Sequence, residues 1–260
     1  MQNSTRDLKL LYLGQCLQQG YEGVTEAETY PRLIVPMLNA TFPDVRIKYE
    51  LKSMYHPSVL KSLLRYRLPL SRPDVVLISL PALFTVIPWR LNWLYQVAPD
   101  LELSARALLQ KIDAKVRGRQ RGLSVEAAAD QFAPLMPSVT HPPLQIEEYE
   151  RLAEEGIRLC QSLSSCRIIL IGPGGFNEYV TEALPPNAPQ LWASVNKMVL
   201  RLGERMKVAV VNVHDLMEEE GSGVFLTGNI RFSVYGHDVV AREVASIIGA
   251  QVKTKGIDRA

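Results

Sequence analysis

Cysteine, long apolar runs and an excess of either charge are all scarce in this chain of 260 residues. The three cysteines, Cys16, Cys160 and Cys166, are an odd number without the paired spacing of metal ligands, so we expect neither a disulfide framework nor a metal site. No stretch approaches the roughly 18 consecutive apolar residues of a membrane helix. The first residues also lack the apolar core and cleavage site of a signal peptide. We therefore expect a cytoplasmic protein without a membrane span.

The charges are nearly balanced, with 29 basic and 27 acidic residues and a formal net charge of +2. This balance gives no general attraction to nucleic acid, and we expect no nucleic-acid partner. The segment 111–121 is a local exception, because it holds five basic residues and one acidic residue. Such a run is either a solvated helix face or a docking site for an acidic partner or a phosphorylated substrate.

Five short apolar runs alternate with segments of helical periodicity. The runs are Lys9–Leu13, Val45–Leu51, Val75–Leu80, Arg167–Ile171 and Val208–Val213. The helical segments are Pro31–Phe42, Pro57–Tyr66, Ile146–Ser164, Leu191–Met206 and Gly236–Ile248. Continuous apolar runs are typical of strands that are covered on both faces. The alternation predicts an α/β protein, with a five-stranded parallel sheet and helices on both faces.

The stretch at about 84–143 does not follow this alternation. We predict helices at Trp89–Val97 and Ala105–Arg119, followed by a proline-rich loop. We interpret the stretch as a basic, helical insertion between the third and fourth strands. The whole chain, residues 1–260, is then a single domain.

Three segments resemble conserved blocks of the SGNH/GDSL hydrolases. Gly14–Gly20 follows the first strand in the manner of block I, and Pro73–Ile78 is similar to the lead-in to block III. Leu226–His237, followed by a helix, resembles block V. The resemblance spans the chain apart from the insertion. It implies the three-layer, flavodoxin-like fold of that family and a chemistry of acyl esters.

The residues that the family uses for catalysis are changed at these positions. The nucleophilic serine corresponds to Cys16, and the oxyanion-hole asparagine of block III corresponds to Leu83. The aspartate and the histidine of block V correspond to Gly228 and Arg231, while His237 corresponds to a framework histidine. Leucine donates no hydrogen bond and arginine accepts no proton. Ordinary serine-esterase activity is therefore not expected.

A cysteine at the nucleophile position retains some chemistry, because a few per cent of a thiol with a pKa near 8.5 is thiolate at neutral pH. Arg231 would stabilise that thiolate, and His56 and His214 each follow a predicted strand and could transfer protons. The predicted site consists of Cys16, His56 and His214 as catalytic residues and of Gln15, Leu83 and Arg231 as substrate-binding residues. No cofactor is expected.

Two functions remain open at this point. The first is hydrolysis or transfer of an acyl group from an ester or thioester through Cys16. The second is a catalytically inactive protein that binds a small anionic ligand through Arg231, or a protein partner. A purely structural role is a third and weaker hypothesis.

Overall fold

The computed structural model describes seven stretches of the chain: residues 6–14, 23–54, 56–86, 89–92, 138–174, 185–225 and 232–254. Two compact units are present. One consists of Met1–Ile87 together with Leu144–Ala260, and the other consists of Pro88–Pro143.

The first unit contains a parallel sheet with the order β2-β1-β3-β6-β7. The strands of the protein are β1 (Arg6–Gly14), β2 (Val45–Ser53), β3 (Val75–Ser79), β4 (Trp89–Asn92), β5 (Ser138–His141), β6 (Arg167–Ile171) and β7 (Ala209–Val211). Each of the five predicted strands is present within three residues of its expected ends. The order of the parallel strands is the flavodoxin-like one. The predicted fold class is therefore confirmed.

Helices connect the strands of this sheet. They are α1 (Tyr30–Thr41), α2 (Leu60–Ser71), α3 (Leu83–Val86), α4 (Ile146–Leu163), α5 (Ala188–Met206), α6 (Val213–Glu220) and α7 (Val234–Thr254). Pro31 lies in the first turn of α1, where a missing N–H costs nothing because the first turn leaves its N–H groups without helical partners. No helix among the described residues is long and apolar enough to cross a membrane.

The helices form two layers, one on each side of the sheet. Alternate residues of β1 point to opposite sides, so Leu10 and Tyr12 face one layer and Leu11 and Leu13 face the other. Helices α1 and α7 pack against each other on the side of Tyr12, which we call the α1/α7 face. Helices α2, α4 and α5 cover the other side, which we call the α2/α4 face. The central strands β3 and β6 are buried on both sides, which explains their continuous apolar runs, whereas the edge strand β2 exposes Arg46 and Lys48.

Helix α4 buries a different stripe from the one that its apolar residues indicate. The apolar spacing of Ile146–Ser164 places Leu163 on one stripe with Tyr149 and Cys160, but half of Leu163 is exposed. The buried residues of α4 are Tyr149, Ala153, Gly156, Ile157 and Cys160. Leu60 of α2 packs so closely against Gly156 that it leaves no space for a Cβ atom, and the buried stripe is therefore centred on this glycine. Contact with the neighbouring helix decided which residues are buried.

The second unit corrects the prediction for the insertion. Residues Trp89–Asn92 form β4 rather than the start of a helix, and β4 pairs antiparallel with β5. Pairing of two chain segments that are distant in sequence outweighs the local helical pattern. The predicted helix at Ala105–Arg119 and the basic segment 111–121 lie outside the described residues. The single-domain interpretation stays a prediction.

Candidate functional site

The centre of the candidate site follows from the strand order. The parallel strands end at one edge of the sheet, and β1 and β3 are neighbours in it. After β1 the chain continues to β2 on one side, and it then crosses to β3 on the other side. Open α/β sheets bind ligands in the crevice where the strand order reverses in this way. The loops that follow Gly14 and Ser79 therefore mark the centre of the candidate site.

Three of the predicted site residues, Gln15, Cys16 and Arg231, lie outside the described residues. Gly14 is the last described residue before the predicted nucleophile, and Phe232 is the first after the predicted cation. The surroundings of Gly14 and Phe232 thus show where the two predicted segments join the fold.

Gly14 lies over a buried pair of tyrosines. The hydroxyls of Tyr12 and Tyr30 are 2.7 Å apart and share a hydrogen bond, and the two rings meet edge to face. Ser79, at the end of β3, is a neighbour of both hydroxyls. Burial raises the pKa of both phenols, so both stay protonated at neutral pH. A Cβ atom at Gly14 would overlap the Tyr12 hydroxyl, and only glycine therefore fits at this position.

Phe232 packs against Tyr30 and His237. Its ring centroid lies 6.4 Å from that of Tyr30 and 5.4 Å from that of His237. Gly174, in the loop after β6, is so close to Phe232 that an added Cβ would lie 2.6 Å from the ring. The end of β1, Gly174 after β6 and the segment that enters α7 thus meet around one aromatic cluster.

His237 has the framework role that the resemblance implies. It is fully buried, and its Nδ1 atom accepts a hydrogen bond of 3.1 Å from the backbone N–H of Tyr30. Burial lowers the pKa of His237 to about 4. The imidazole is therefore neutral at physiological pH and ties the start of α7 to the start of α1.

His56 lies beside the end of β1. The backbone N–H of Met54 donates to the carbonyl oxygen of Gly14 at 2.5 Å, which places the segment after β2 next to the segment that leads to Cys16. His56 itself is 2% exposed and caps the 3₁₀ turn Pro57–Val59.

The cap also fixes the tautomer of His56. Its Nδ1 atom accepts from the Ser58 backbone N–H at 3.3 Å and lies 2.8 Å from the Ser58 hydroxyl. A neutral imidazole that accepts at Nδ1 carries its proton on Nε2. A general base needs the opposite tautomer, with an acceptor at Nε2. The proton-transfer role predicted for His56 would therefore require loss of this cap.

Leu83 is the first residue of the short helix α3 and is partly buried. The next residue, Phe84, packs edge to face against His56 and Tyr149, at 5.6 and 5.9 Å between ring centroids. The hydroxyl of Tyr149 donates to the carbonyl oxygen of Pro81 at 3.1 Å. The loop after β3 is thus held by aromatic packing, and the Leu83 side chain brings no hydrogen-bond donor to it.

His214 lies far from this cluster. It is in the first turn of α6 rather than at a strand end, and β7 is three strand positions from β1, or roughly 14 Å at the usual strand spacing. Its Nδ1 atom lies 3.5 Å from Asp215 and 3.6 Å from Glu218. Ligand atoms of these three residues lie within 4.8 Å of one another and could hold a metal ion. Both carboxylates are more than 60% exposed, as carboxylates without a metal commonly are.

Three contributors to the site are not indicated by the sequence. Tyr12 and Ser79 lie in predicted strands, and Tyr30 lies one residue before the predicted helix Pro31–Phe42. The signal that could have identified Tyr12 is its hydroxyl within an otherwise aliphatic strand, because a buried tyrosine hydroxyl usually has a hydrogen-bond partner. Nothing in the sequence indicates that the partner is Tyr30.

No family model matches the chain, and no curated protein matches it. Solved structures do match. A lipase/acylhydrolase from Enterococcus faecalis superposes with a TM-score of 0.58 at 13% identity, over 94% of this chain and 96% of that one. A catalytic mutant of an acetylxylan esterase from Geobacillus stearothermophilus gives a TM-score of 0.57 at 16% identity, over 93% of each chain. The psychrotrophic esterase EstA from Pseudoalteromonas sp. gives 0.53 at 13% identity, over 94% and 98%. The chain therefore has the SGNH-hydrolase fold that its sequence resembles.

Proposed function

We propose that this protein is an SGNH-fold enzyme that cleaves or transfers an acyl group from an ester or thioester, with Cys16 as the nucleophile. One observation carries the proposal. Gly14, two residues before Cys16, lies against Tyr12, and Phe232, which follows Arg231, packs against Tyr30. Because the two tyrosines share a hydrogen bond, these contacts support a site that brings Cys16 and Arg231 together at the carboxyl edge of the sheet.

In the proposed reaction the Cys16 thiolate attacks the acyl carbonyl carbon. The bond to the leaving alcohol or thiol breaks, and the leaving group takes up a proton from water. Water or a second acceptor then attacks the acyl carbonyl carbon. The bond between that carbon and the Cys16 sulfur breaks, and the thiolate is restored. Arg231 favours the thiolate by its charge. Loss of one oxyanion donor typically costs about 10²–10³ in rate, so replacement of the asparagine by Leu83 predicts a slow enzyme.

The substrate class follows from the nucleophile. Cysteine without a general base reacts best with substrates whose leaving group needs little protonation. Thiols and phenols leave more readily than alkyl alcohols, because their pKa values are lower. Thioesters and aryl esters are therefore the expected substrates, and simple alkyl esters are the poorest.

The test is acylation of the full-length chain by an aryl acetate and by an acetyl thioester, followed by intact-mass measurement and peptide mapping. We expect an acetyl group on Cys16, and we expect Cys16→Ala to lose turnover of both substrates even where the Cys166 thiol is acetylated. Cys166→Ala is the matched control, since it removes a thiol outside the site and should retain acylation and turnover. Unchanged turnover in Cys16→Ala would overturn the proposal.

A second function is favoured by the residues that the structure describes. Leu83 offers no side-chain donor, and His56 carries the tautomer that cannot act as a base at Nε2. These features suit a non-catalytic protein that binds a small anion through Arg231. That function predicts no turnover of either substrate, with acetate affinity lost in Arg231→Ala and retained in Cys16→Ala, as measured by calorimetry.

A further inference from the structure

A pair of thiols lies at the opposite edge of the sheet from the candidate site. Cys160 is in the last turn of α4, and Cys166 directly precedes β6. Their sulfur atoms are 3.3 Å apart and share a hydrogen bond. The five residues of β6 span roughly 16 Å and separate this pair from the edge that carries the proposed function. The pair is therefore a feature separate from Cys16.

The geometry brings the two sulfur atoms close to bonding distance. A disulfide bond is about 2.05 Å long, so the sulfur atoms must approach each other by little more than 1 Å. The segment between them includes the end of α4, where the N–H of Ser164 bonds to the carbonyl oxygen of Cys160 at 3.1 Å. The Ser164 hydroxyl in turn accepts from the N–H of Cys166 at 3.1 Å. These bonds hold the two cysteines in register.

The two thiols differ in exposure and in acidity. Cys160 is fully buried, whereas Cys166 is only partly buried. The hydrogen bond from the Cys160 thiol lowers the pKa of Cys166 to about 7, and the same interaction raises the pKa of Cys160. Cys166 is thus the accessible thiolate of the pair, and Cys160 is the protonated partner behind it.

We propose that Cys160 and Cys166 form a redox site that hydrogen peroxide closes to a disulfide. The Cys166 thiolate attacks one peroxide oxygen, the O–O bond breaks, and Cys166 becomes a sulfenic acid while hydroxide leaves. The Cys160 sulfur then attacks the Cys166 sulfur, and the second hydroxide leaves with the Cys160 proton as water. Two thiols lose two electrons, and one peroxide becomes two waters. The bond ties the end of α4 to the start of β6.

The test is exposure of the full-length chain to a small excess of hydrogen peroxide, with intact-mass measurement and peptide mapping under non-reducing conditions. We expect a loss of two hydrogen atoms, a crosslinked pair of peptides that contain Cys160 and Cys166, and full reversal by dithiothreitol. The Cys16→Ala variant should give the same result, which separates this site from the proposed function.

Two further variants make the result decisive. Cys166→Ala should form no internal disulfide, and Cys160→Ala should gain oxygen atoms on Cys166 because the resolving thiol is gone. Thermal melts of both variants establish that they remain folded. If Cys160 and Cys166 stay reduced while Cys16 or methionine is oxidised, the proposal is wrong. It is also wrong if the crosslink joins either thiol to Cys16 or to a second chain.

Discussion

The two faces of the sheet each hold a buried histidine among aromatic rings, but they treat it differently. On the α1/α7 face, His237 accepts from the backbone N–H of Tyr30 and lies beside the hydrogen-bonded pair of Tyr12 and Tyr30. On the α2/α4 face, His56 accepts from the backbone of Ser58 and lies beside Phe84. On both faces the Nδ1 atom of the histidine accepts a hydrogen bond from a backbone N–H, so each histidine has a structural role.

The difference lies in the polar groups around the two histidines. The α1/α7 face keeps a connected set of hydroxyls below the segment that leads to Cys16, whereas the loop after β3 on the other face presents Leu83 and Phe84. Buried hydroxyls persist when they bond one another, because removing one leaves its partner unsatisfied. The comparison teaches that the α1/α7 face has a buried pair of hydrogen-bonded hydroxyls at this edge of the sheet, whereas Leu83 on the other face offers no side-chain donor.

The largest difference in stability between the two faces is expected when one glycine on each face is replaced by alanine. A Cβ at Gly236 would overlap the backbone carbonyl oxygen of Val224, which cannot move independently, so Gly236→Ala should lower the free energy of unfolding by about 3 kcal/mol. A Cβ at Gly156 would lie 2.6 Å from the end of the Leu60 side chain. That side chain can rotate, so Gly156→Ala should cost only about 1 kcal/mol. Urea unfolding measures the free energy of unfolding of both variants. Equal losses would contradict the idea that the Val224 carbonyl is more rigid than the Leu60 side chain.

Acid should destabilise the protein through His237. The pKa of this imidazole falls from about 6.5 in the unfolded chain to about 4 in the folded one, so the unfolded state binds the proton first. Stability is therefore complete above about pH 6.5 and is lost as pH falls toward 4, by up to about 3 kcal/mol.

His237→Asn keeps an acceptor for the Tyr30 N–H and removes the titration. Its free energy of unfolding should therefore depend less on pH over this range than that of the wild type. Val244→Ala, a buried cavity substitution in the same helix, is the control that lowers stability without changing the pH slope. If His237→Asn and the wild type have parallel pH profiles, burial of the imidazole has no role in acid stability.

The smallest difference in stability between the two faces is expected when a single hydroxyl group is removed from each. Tyr30→Phe leaves the buried Tyr12 hydroxyl without its hydrogen-bond partner and should cost about 2 kcal/mol, near the middle of the range for an unsatisfied buried group. Tyr149→Phe on the other face removes one bond to the partly buried Pro81 carbonyl and should cost about 1 kcal/mol. Thermal and urea unfolding measure the two variants. A larger loss for Tyr149→Phe would mean that the polar network is not the stronger support.

The sequence by itself determined the strands, most of the helices and the fold. Continuous apolar runs such as Val75–Leu80 and the helical stripe of Leu191–Met206 follow from local periodicity, and burial on both faces preserves them. The sequence resemblance also implies that Cys16, Leu83 and Arg231 stand where the SGNH hydrolases have a serine, an asparagine and a histidine. These are properties of residue identity and spacing, and they need no knowledge of distant contacts.

The tertiary structure decided which of these residues meet. Only the strand order separates His214 from β1, and only the packing of α1 brings Tyr30 to Tyr12. The tautomer of His56 likewise depends on a cap that its sequence neighbours do not reveal. Pairing across the sheet and contacts between helices join residues far apart in the chain, and local pattern carries no information about them. That is why the sequence predicted candidate site residues, while the structure located the hydrogen-bonded pair of Tyr12 and Tyr30.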